Sequence, residues 1–231
     1  MSDIPNIAQL AATIDQTLLS PTVGFSDGAL WCSRNAPLGF ATLCVAPAFV
    51  ALAAERTRGT KTRVCSVVGF PLGYATSDAK AEETTRLVDA GCLEIDMVLH
   101  IGALLEGNEA YVVNDIAAVV RATAEASDGA GIVKVILETG HLSEDAIVSG
   151  SRLSEAAGAA FVKTSTGFGP RGAAIHDVEL MRSAVGDRVG IKAAGGIRDL
   201  ETALAMLEAG ATRLGTSSGA EILEQLSARG G

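Results

Sequence analysis

The segment LSEAAGAAFVKTS, residues 153–165, contains the local pattern from which the fold can be predicted. A helix-like stretch ends at Ala-Gly, where glycine can take the left-handed conformation that closes a helix, and a short apolar strand follows. Two further segments repeat the pattern, LVDAGCLEIDMV at 87–98 and AMLEAGATRLGTSS at 205–218. Repetition of one helix–glycine–strand unit indicates that helices and strands alternate through the chain.

Extending this pattern in both directions predicts about eight strand-then-helix units. The predicted strands lie at roughly 12–18, 40–45, 62–69, 93–99, 131–138, 160–165, 189–194 and 212–216. The predicted helices lie at roughly 26–37, 47–57, 77–90, 108–126, 143–157, 174–184, 199–209 and 218–228. Sustained alternation favours a parallel sheet, and eight units in 231 residues predict an α/β fold, a (β/α)8 TIM barrel formed by a single domain over 1–231. A doubly wound open sheet is the alternative.

The amino-acid composition limits the kinds of core the chain can form and the kinds of molecule it can bind. Hydrophobic residues make up 48% of the chain and aromatic residues 4%, so the core must be built from Ala, Val, Leu and Ile. The formal net charge is −9 with no basic run, which argues against nucleic acid, because phosphate neutralisation needs clustered Lys and Arg. No apolar stretch is long enough to span a bilayer, so no membrane association is expected.

The chain start and the cysteines predict a cytoplasmic protein. MSDIPNIAQLAATIDQ has no cationic region followed by an apolar run, so no secretory signal is expected. The four cysteines form no C-x-x-C pair and lie in apolar surroundings, as reduced thiols usually do.

Polar residues recur at the predicted C-terminal ends of the strands, where barrels carry their chemistry. They are Asp15, Cys44, Asp96, Glu138, Lys163 and Lys192. Lys163 and Lys192, on successive strands, would face one cavity, and two nearby like charges make one lysine lose its proton more easily. A neutral amine attacks carbonyl groups, which favours an imine mechanism in which Asp96 moves protons or holds the second lysine. The alternative is a buried Lys-Asp-Lys charge network that only stabilises the fold.

Loops of small residues predict a phosphate site. TSTGFG, AAGGIR and GTSSGAEIL each lie between a late strand and a helix. Backbone N–H groups in such loops, together with a helix N-terminus, bind anions. Barrels commonly bind phosphate after strands 7 and 8, where Gly195, Gly196, Ser217 and Ser218 lie. The alternative is that these are tight turns that need glycine.

Other site classes fit less well. GFGPRG at 167–172 has the dinucleotide spacing with Asp187 downstream, but Asp187 precedes its strand and Pro170 interrupts the motif, which disfavours NAD. No G-x-S-x-G motif is present, which excludes a serine hydrolase elbow. No metal site is predicted, because the three histidines are scattered at His100, His141 and His176.

A resemblance sharpens the functional prediction. The motifs IDQTLL, LCVAP, VCSVVGFPLG, EIDMV, VKVILETG, FVKTSTGF and KAAGGIR resemble the deoxyribose-phosphate aldolase family, class I aldolases on a TIM barrel, over nearly the whole chain. The resemblance implies reversible cleavage of 2-deoxy-D-ribose 5-phosphate to D-glyceraldehyde 3-phosphate and acetaldehyde, without a cofactor. It implies Lys163 as the Schiff-base lysine, Lys192 as the partner that lowers its pKa, and Asp96 as an acid relaying protons through water.

The same resemblance implies the substrate contacts. Asp15 and Cys44 would line the pocket, and Thr164 would belong to the substrate site. The phosphate would rest on Gly167, Gly195, Gly196, Gly215, Ser217 and Ser218. The expected partners are therefore a small sugar phosphate and aldehydes, and the resemblance leaves the oligomeric state open, a homo-oligomer included.

The chain departs from the family pattern in three places. Gln16 stands where histidine is usual, His100 stands where asparagine is commoner, and SARGG ends the sequence without the terminal tyrosine that some members use. These departures bear on rate and substrate preference.

Three rival functions stay open at this level. One is a different lysine-imine aldolase, one is an isomerase barrel using Asp96 and Glu138 as acid and base, and one is a barrel that only binds a phosphorylated ligand. Borohydride trapping separates them, because only an imine former becomes covalently loaded with its substrate.

Overall fold

Eight parallel strands form a closed barrel in the computed structural model, which describes residues 5–229. The strands are β1 (Ile14–Leu18), β2 (Thr42–Val45), β3 (Arg63–Val68), β4 (Glu94–Val98), β5 (Ile132–Ile136), β6 (Phe161–Lys163), β7 (Gly190–Ala194) and β8 (Arg213–Thr216). Each strand pairs with the next one in the chain, and β8 pairs with β1. Closure confirms the predicted (β/α)8 barrel and excludes the doubly wound open sheet.

Apart from α1, which precedes β1, the helices follow the strands and cover the outside of the barrel. Within residues 5–229 they are α1 (Ile7–Ala11), α2 (Phe25–Asn35), α3 (Val50–Thr57), α4 (Ser77–Asp89), α5 (Ile101–Leu105), α6 (Glu109–Ala126), α7 (Glu144–Ala156), α8 (Ile175–Val185), α9 (Leu200–Glu208) and α10 (Gly219–Arg229). The short helices α1 and α5 were not predicted, because five residues cannot display a clear 3.6-residue period. None of the helices in this part of the chain has the length and hydropathy of a bilayer-spanning segment.

Among the predicted element boundaries that differ from the structure, two differ for identifiable local reasons. The helix predicted over 47–57 begins as a 3-10 turn at Pro47–Phe49 and becomes α-helical only at Val50. Proline fits the first turn because it has no N–H to donate. The strand predicted over 131–138 ends at Ile136, and Glu138 then takes a left-handed φ of 56° that no strand residue adopts.

The core consists of aliphatic side chains between barrel and helices, as the composition predicts. Strand β4 is buried along its whole length, and one apolar cluster connects the strands with the inner faces of the helices. Residues 5–229 take part in this one architecture, and a single domain over 1–231 stays a prediction. Gly230 and Gly231, the last residues of SARGG, lie outside the described residues.

A buried ion pair fastens α4 to α6 on the outside of the barrel. Lys80 Nζ lies 2.6 Å from Asp115 Oδ2, and both side chains are fully buried. The same amine donates to the Val98 carbonyl at 3.0 Å, and the Ser77 hydroxyl donates to Asp115 Oδ1 at 2.8 Å. The pair is therefore hydrogen-bonded on both sides.

We expect Asp115→Asn to destabilise the fold strongly, because it leaves the Lys80 ammonium buried without a counter-charge. Breaking a buried pair by removing one partner costs about 3–5 kcal/mol. The control Ser77→Ala removes a single hydrogen bond to the same carboxylate and should cost about 1 kcal/mol. Urea unfolding of both variants measures the difference. Equal free energies of unfolding for the two would contradict this assignment.

Candidate active site

Two lysines on neighbouring strands share one carboxylate oxygen inside the barrel. Lys163 ends β6 and is in register with Lys192 on β7, so both side chains point into the barrel. Lys163 Nζ lies 2.6 Å from Asp96 Oδ2, and Lys192 Nζ lies 2.7 Å from the same oxygen. Asp96 reaches this point from β4, two strands before Lys163. The three residues predicted as catalytic are thus brought together, while their roles stay predictions.

A third lysine, which the sequence analysis missed, completes the contacts of Asp96. Lys134 on β5 lies between β4 and β6, and its Nζ is 2.9 Å from Asp96 Oδ1. The same amine lies 2.9 Å from Glu94 Oε2 and 3.3 Å from Asp15 Oδ2. The available signal was a lysine inside the otherwise apolar strand GIVKVIL. A lysine there must be paired or neutral.

Arg213 and Glu94 extend this group of buried, paired charges towards the N-terminal ends of the strands. Arg213 Nη1 lies 2.6 Å from Asp15 Oδ1 and 2.9 Å from Glu94 Oε2. The guanidinium stacks over the Phe161 ring at 5.1 Å from its centroid. Asp15 also lies 2.5 Å from Lys192 Nζ through its other oxygen. We call this set the charge network; its members are Asp15, Glu94, Asp96, Lys134, Lys163, Lys192 and Arg213.

The charge network holds one more cation than anion when all its groups are ionised. Four cationic side chains face three carboxylates. Loss of one proton would balance the network, and an unbalanced charge is costly where water is excluded. The network therefore favours one neutral amine.

Electrostatics identifies which groups keep their charge. Burial alone would raise the pKa of Asp96, but Lys134, Lys163 and Lys192 outweigh it and hold that pKa well below its usual range. Burial alone would lower the pKa values of Lys192 and Lys134, but Asp15 and Asp96 outweigh it and raise both. Lys192 and Lys134 are therefore fixed as cations between carboxylates.

Lys163 is the network amine with the fewest carboxylate contacts. It touches Asp96 alone, whereas Lys192 touches two carboxylates and Lys134 touches three. It is also the network lysine that borders the adjoining cavity, and 3% of its surface stays exposed. Access and charge balance together make Lys163 the amine best placed to react.

The cavity above Lys163 has a volume of about 310 Å³ and lies between the C-terminal ends of β1, β6, β7 and β8. Six of the residues predicted for the site line it: Lys163, Gly167, Gly195, Gly196, Gly215 and Ser217. Further lining residues had not been singled out, among them Ser20, Thr166, Phe168 and Arg198. Arg198, in the quoted motif KAAGGIR, adds an exposed cation to the rim.

The glycine loop after β7 has the backbone shape of an anion nest. Gly195 and Gly196 take φ values of 92° and 81°, a consecutive left-handed pair that other residues rarely adopt. Such loops turn backbone N–H groups towards a common point. At Gly215 the constraint is space, since an added Cβ would lie 3.0 Å from Lys192 Cε. Gly215 therefore leaves room for the lysine chain.

The other predicted substrate residues lie beside the cavity and do not line it. Asp15 belongs to the charge network. The Thr164 hydroxyl bridges β6 to β7, accepting from the Ala194 N–H at 3.0 Å and donating to its carbonyl at 3.1 Å. The Ser218 N–H donates to Thr216 Oγ1 at 2.9 Å. Substrate contact by these residues stays a prediction.

Cys44 is fully buried on β2, in register with Cys65 on β3. Burial raises the pKa of Cys65 well above its usual value, and the thiol donates to Asp96 Oδ1 at 3.3 Å. Ligand atoms of Cys44, Cys65 and Asp96 lie within 4.8 Å of one another. Three lysine amines already contact Asp96, so a bound cation would have to displace them. We therefore interpret the two thiols as buried neighbours of the charge network and not as ligands of a metal centre.

Glu138, another of the polar residues predicted at the strand ends, forms its hydrogen bonds outside the charge network. Its carboxylate accepts hydrogen bonds from the Thr166 hydroxyl and from the Thr166 N–H at 3.2 Å. This arrangement supports the β6–α8 loop and does not favour the isomerase reading that pairs Glu138 with Asp96. In the disfavoured dinucleotide motif, α8 begins only at Ile175, and Asp187 lies 3.6 Å from Arg182.

His100 departs from the family pattern but keeps a local role. Its Nδ1 accepts the Ala103 N–H at 3.1 Å and so caps α5. Asparagine, the commoner residue there, is a preferred N-cap. The histidine therefore replaces one helix cap by another.

Comparison with known proteins assigns the family. The family profile described as DeoC/LacD family aldolase matches residues 11–225. A deoxyribose-phosphate aldolase of Caldanaerobacter subterraneus subsp. tengcongensis is 46% identical, covering 97% of this chain and 96% of its own length. One of Methanothermobacter thermautotrophicus is 49% identical, with 94% of each chain covered.

Solved structures agree with the sequence relatives. A structure described as QR15, an aldolase, superposes with a TM-score of 0.90 at 37% identity, covering 100% of this chain and 98% of that one. A tetrameric deoxyribose phosphate aldolase from Aeropyrum pernix gives 0.86 at 31% identity, covering 96% and 93%. The barrel, the lysine-rich interior and these relatives lead to one assignment: the chain belongs to the DeoC/LacD family of aldolases.

Proposed function

We propose that this chain is a class I aldolase that reversibly cleaves 2-deoxy-D-ribose 5-phosphate to D-glyceraldehyde 3-phosphate and acetaldehyde. The observation that carries the proposal is the position of Lys163, the network amine that borders the cavity, beside the fixed cation Lys192. The relatives named deoxyribose-phosphate aldolase support the choice of substrate.

The amine first forms a covalent bond with the sugar. Neutral Lys163 adds to the aldehyde carbon C1 of the open-chain sugar, and loss of water leaves a protonated imine. The hydroxyl on C3 then gives up its proton, the C2–C3 bond breaks, and its electron pair moves towards the imine to form an enamine. The fragment carrying C3 to C5 leaves as the aldehyde D-glyceraldehyde 3-phosphate.

The second half of the proposed reaction regenerates the free amine of Lys163. Protonation of the enamine at C2 regenerates an imine, and water hydrolyses it to acetaldehyde and the free amine. Asp96 is placed to relay these protons, in our proposal through water, because its Oδ2 accepts a hydrogen bond from Lys163 Nζ at 2.6 Å. Lys192 also disfavours a second ammonium beside it, which keeps Lys163 reactive.

The phosphate of the substrate would lie against the glycine and serine loops that line the cavity. The glycine pair Gly195–Gly196, Ser217 and Arg198 all border the cavity. Backbone N–H groups and one arginine can capture a single phosphate despite the net charge of −9 of the chain.

Reductive trapping tests the proposal directly. The chain has five lysines, Lys61, Lys80, Lys134, Lys163 and Lys192, so peptide mass mapping identifies the modified one without ambiguity. Incubation with deoxyribose 5-phosphate and borohydride should load Lys163 alone. Loading of Lys192, or cleavage of the sugar without any trapped adduct, would refute the assignment of the nucleophile.

We expect Ser217→Asp to weaken binding of the phosphorylated sugar. A carboxylate at this exposed cavity position places like charge beside the phosphate, and KM should rise by about 10-fold or more, at about 1.4 kcal/mol per tenfold. Activity on unphosphorylated deoxyribose should stay within about 2-fold. Ser183→Asp, at an exposed site on α8, controls for the added charge. Equal losses on both sugars would count against the phosphate site.

We further propose a cytoplasmic homo-oligomer. The Aeropyrum pernix relative is described as tetrameric, and this chain exposes large apolar side chains around a second cavity of about 440 Å³, including Leu72, Tyr74 and Leu105. Exposed apolar patches of this kind favour association. The four free, buried cysteines suit a reducing compartment. Light scattering on the purified protein tests the assembly, and a monomer at micromolar concentration would contradict it.

A further inference from the structure

Gln16 lies next to Asp15 on β1 but faces the opposite way. Alternation along the strand sends Asp15 into the barrel and Gln16 towards the helix layer. The Gln16 side chain is 2% exposed, and it does not border the cavity above Lys163. A buried amide of this kind must have its hydrogen bonds satisfied within the protein.

The Gln16 side-chain amide forms hydrogen bonds with the loop between β8 and α10 at two positions. Oε1 accepts the N–H of Gly219, the first residue of α10, at 2.9 Å. Nε2 donates to the Ser217 carbonyl at 3.4 Å. One side chain therefore holds both ends of the tripeptide 217–219, whose first residue borders the cavity.

A second amide determines the orientation of the first. Gln16 Nε2 also donates to Asn35 Oδ1 at 3.0 Å, and Asn35 Nδ2 donates to the Trp31 carbonyl on α2 at 2.9 Å. Because the Asn35 side-chain nitrogen donates to the Trp31 carbonyl, the Asn35 side-chain oxygen must face Gln16. The Gln16 oxygen is left for Gly219, and the reverse orientation would oppose two N–H groups.

The side chains around the contact between Gln16 and Gly219 are closely packed. A Cβ added at Gly219 would lie 2.5 Å from Gln16 Oε1 and 3.0 Å from the Phe40 ring. On the other side of the loop, the Thr216 hydroxyl donates to the Ile197 carbonyl at 2.6 Å and accepts the Ser218 N–H at 2.9 Å. The start of α10 is thus held from both sides, with Gln16 supplying the contacts from β1.

We propose that Gln16 is a positioning residue for the phosphate group of the substrate. It would act through the backbone of Ser217–Gly219, which it fixes beside the cavity, and it would not touch the substrate itself. Anion binding by loop and helix N–H groups depends on their direction, so a loosened loop should lose phosphate affinity before it loses imine chemistry. This inference rests on the proposed aldolase function, and it assigns a use to a residue that departs from the family pattern.

The test compares Gln16→Met with Gln16→His. Methionine keeps the volume but makes none of the three side-chain hydrogen bonds of Gln16, whereas an imidazole can accept from Gly219 and donate from its other nitrogen. We expect Gln16→Met to raise both KM for deoxyribose 5-phosphate and the inhibition constant of inorganic phosphate by about 10-fold. Gln16→His should recover at least half of that change on a logarithmic scale. Trapping with acetaldehyde, which carries no phosphate, should stay within about 2-fold in both variants.

A remote variant separates positioning from general destabilisation. Thr123→Val removes a buried side-chain hydrogen bond within α6, to the Val119 carbonyl at 2.8 Å, and should leave KM unchanged. Unchanged KM in Gln16→Met, or an equal loss in acetaldehyde trapping, would overturn the inference. Failure of the wild-type protein to trap acetaldehyde at all would instead refute the proposed function, so the two failures are distinguishable.

Discussion

Lys163→Arg is expected to abolish imine formation and to reduce aldol cleavage by at least about 1,000-fold. Arginine keeps the positive charge beside Asp96, but its guanidinium stays protonated at any pH the protein tolerates and cannot add to a carbonyl. Losses of this size or larger are typical when a covalent nucleophile is removed. Borohydride trapping with acetaldehyde, followed by mass measurement of the intact protein, reports the result directly.

The variant Lys163→Met tests whether the loss in Lys163→Arg comes only from a disturbed barrel. Arginine is longer than lysine and could disturb the barrel, whereas methionine fits the space and leaves Asp96 paired with Lys192 and Lys134. Thermal unfolding of both variants should show a folded protein. A trapped adduct that survives in either variant would mean that another lysine is the nucleophile.

Lys192→Met is expected to slow acetaldehyde trapping at pH 7 by about 10- to 100-fold without eliminating it. In the wild type, Lys163 and Lys192 share Asp96 Oδ2, and the network holds one excess cation. Removing Lys192 leaves three cations against three carboxylates and gives Oδ2 to Lys163 alone. The ammonium form of Lys163 is then favoured, and the reactive amine becomes scarce.

The pH profile of trapping gives the sign of this effect. Loss of a neighbouring cation stabilises the ammonium, so the rate in Lys192→Met should recover only at higher pH. The midpoint should move upward by about 1 to 2 units, which corresponds to the 10- to 100-fold loss at neutral pH. Lys61→Met, which removes an exposed charge just before β3 and so at the opposite end of the barrel, should leave the profile unchanged. A profile that does not move in Lys192→Met would remove Lys192 from the mechanism.

The Lys192 variant should remain folded, which keeps this test informative. Asp15 retains Arg213 at 2.6 Å, and Asp96 retains Lys134 at 2.9 Å. No carboxylate that Lys192 contacts is left without a cation. This differs from the single Lys80–Asp115 pair, where removal of one partner isolates the other.

The barrel could be predicted from sequence because its signals are local. A glycine that closes a helix and the short apolar strand after it lie within a dozen residues, and three copies of the unit are recognisable by eye. Asp96 and Lys163 both stand five residues after the glycine of their repeat, which agrees with their meeting inside the barrel. The glycine loop that lines the cavity was recognisable for a similar reason, because two consecutive glycines follow β7.

Lys134, Glu94 and Arg213 could not be assigned in this way. Each carries a charge on a strand whose local pattern is apolar, and nothing nearby in the chain indicates its partner. Arg213 contacts Asp15 across 198 residues, and Lys134 contacts Asp96 across 38. Gln16 is similar, since its bond to Gly219 spans 203 residues.

The sequence by itself therefore determined the order of strands and helices, the family resemblance and the placement of two lysines on neighbouring strands. Only the tertiary structure decided which charges balance one another, which amine borders the cavity, and which side chain holds the loop between β8 and α10. The physical reason is the range of the interactions. Backbone conformation depends on residues a few positions apart, whereas charge balance in the buried barrel interior is shared by strands that become neighbours only when the barrel closes.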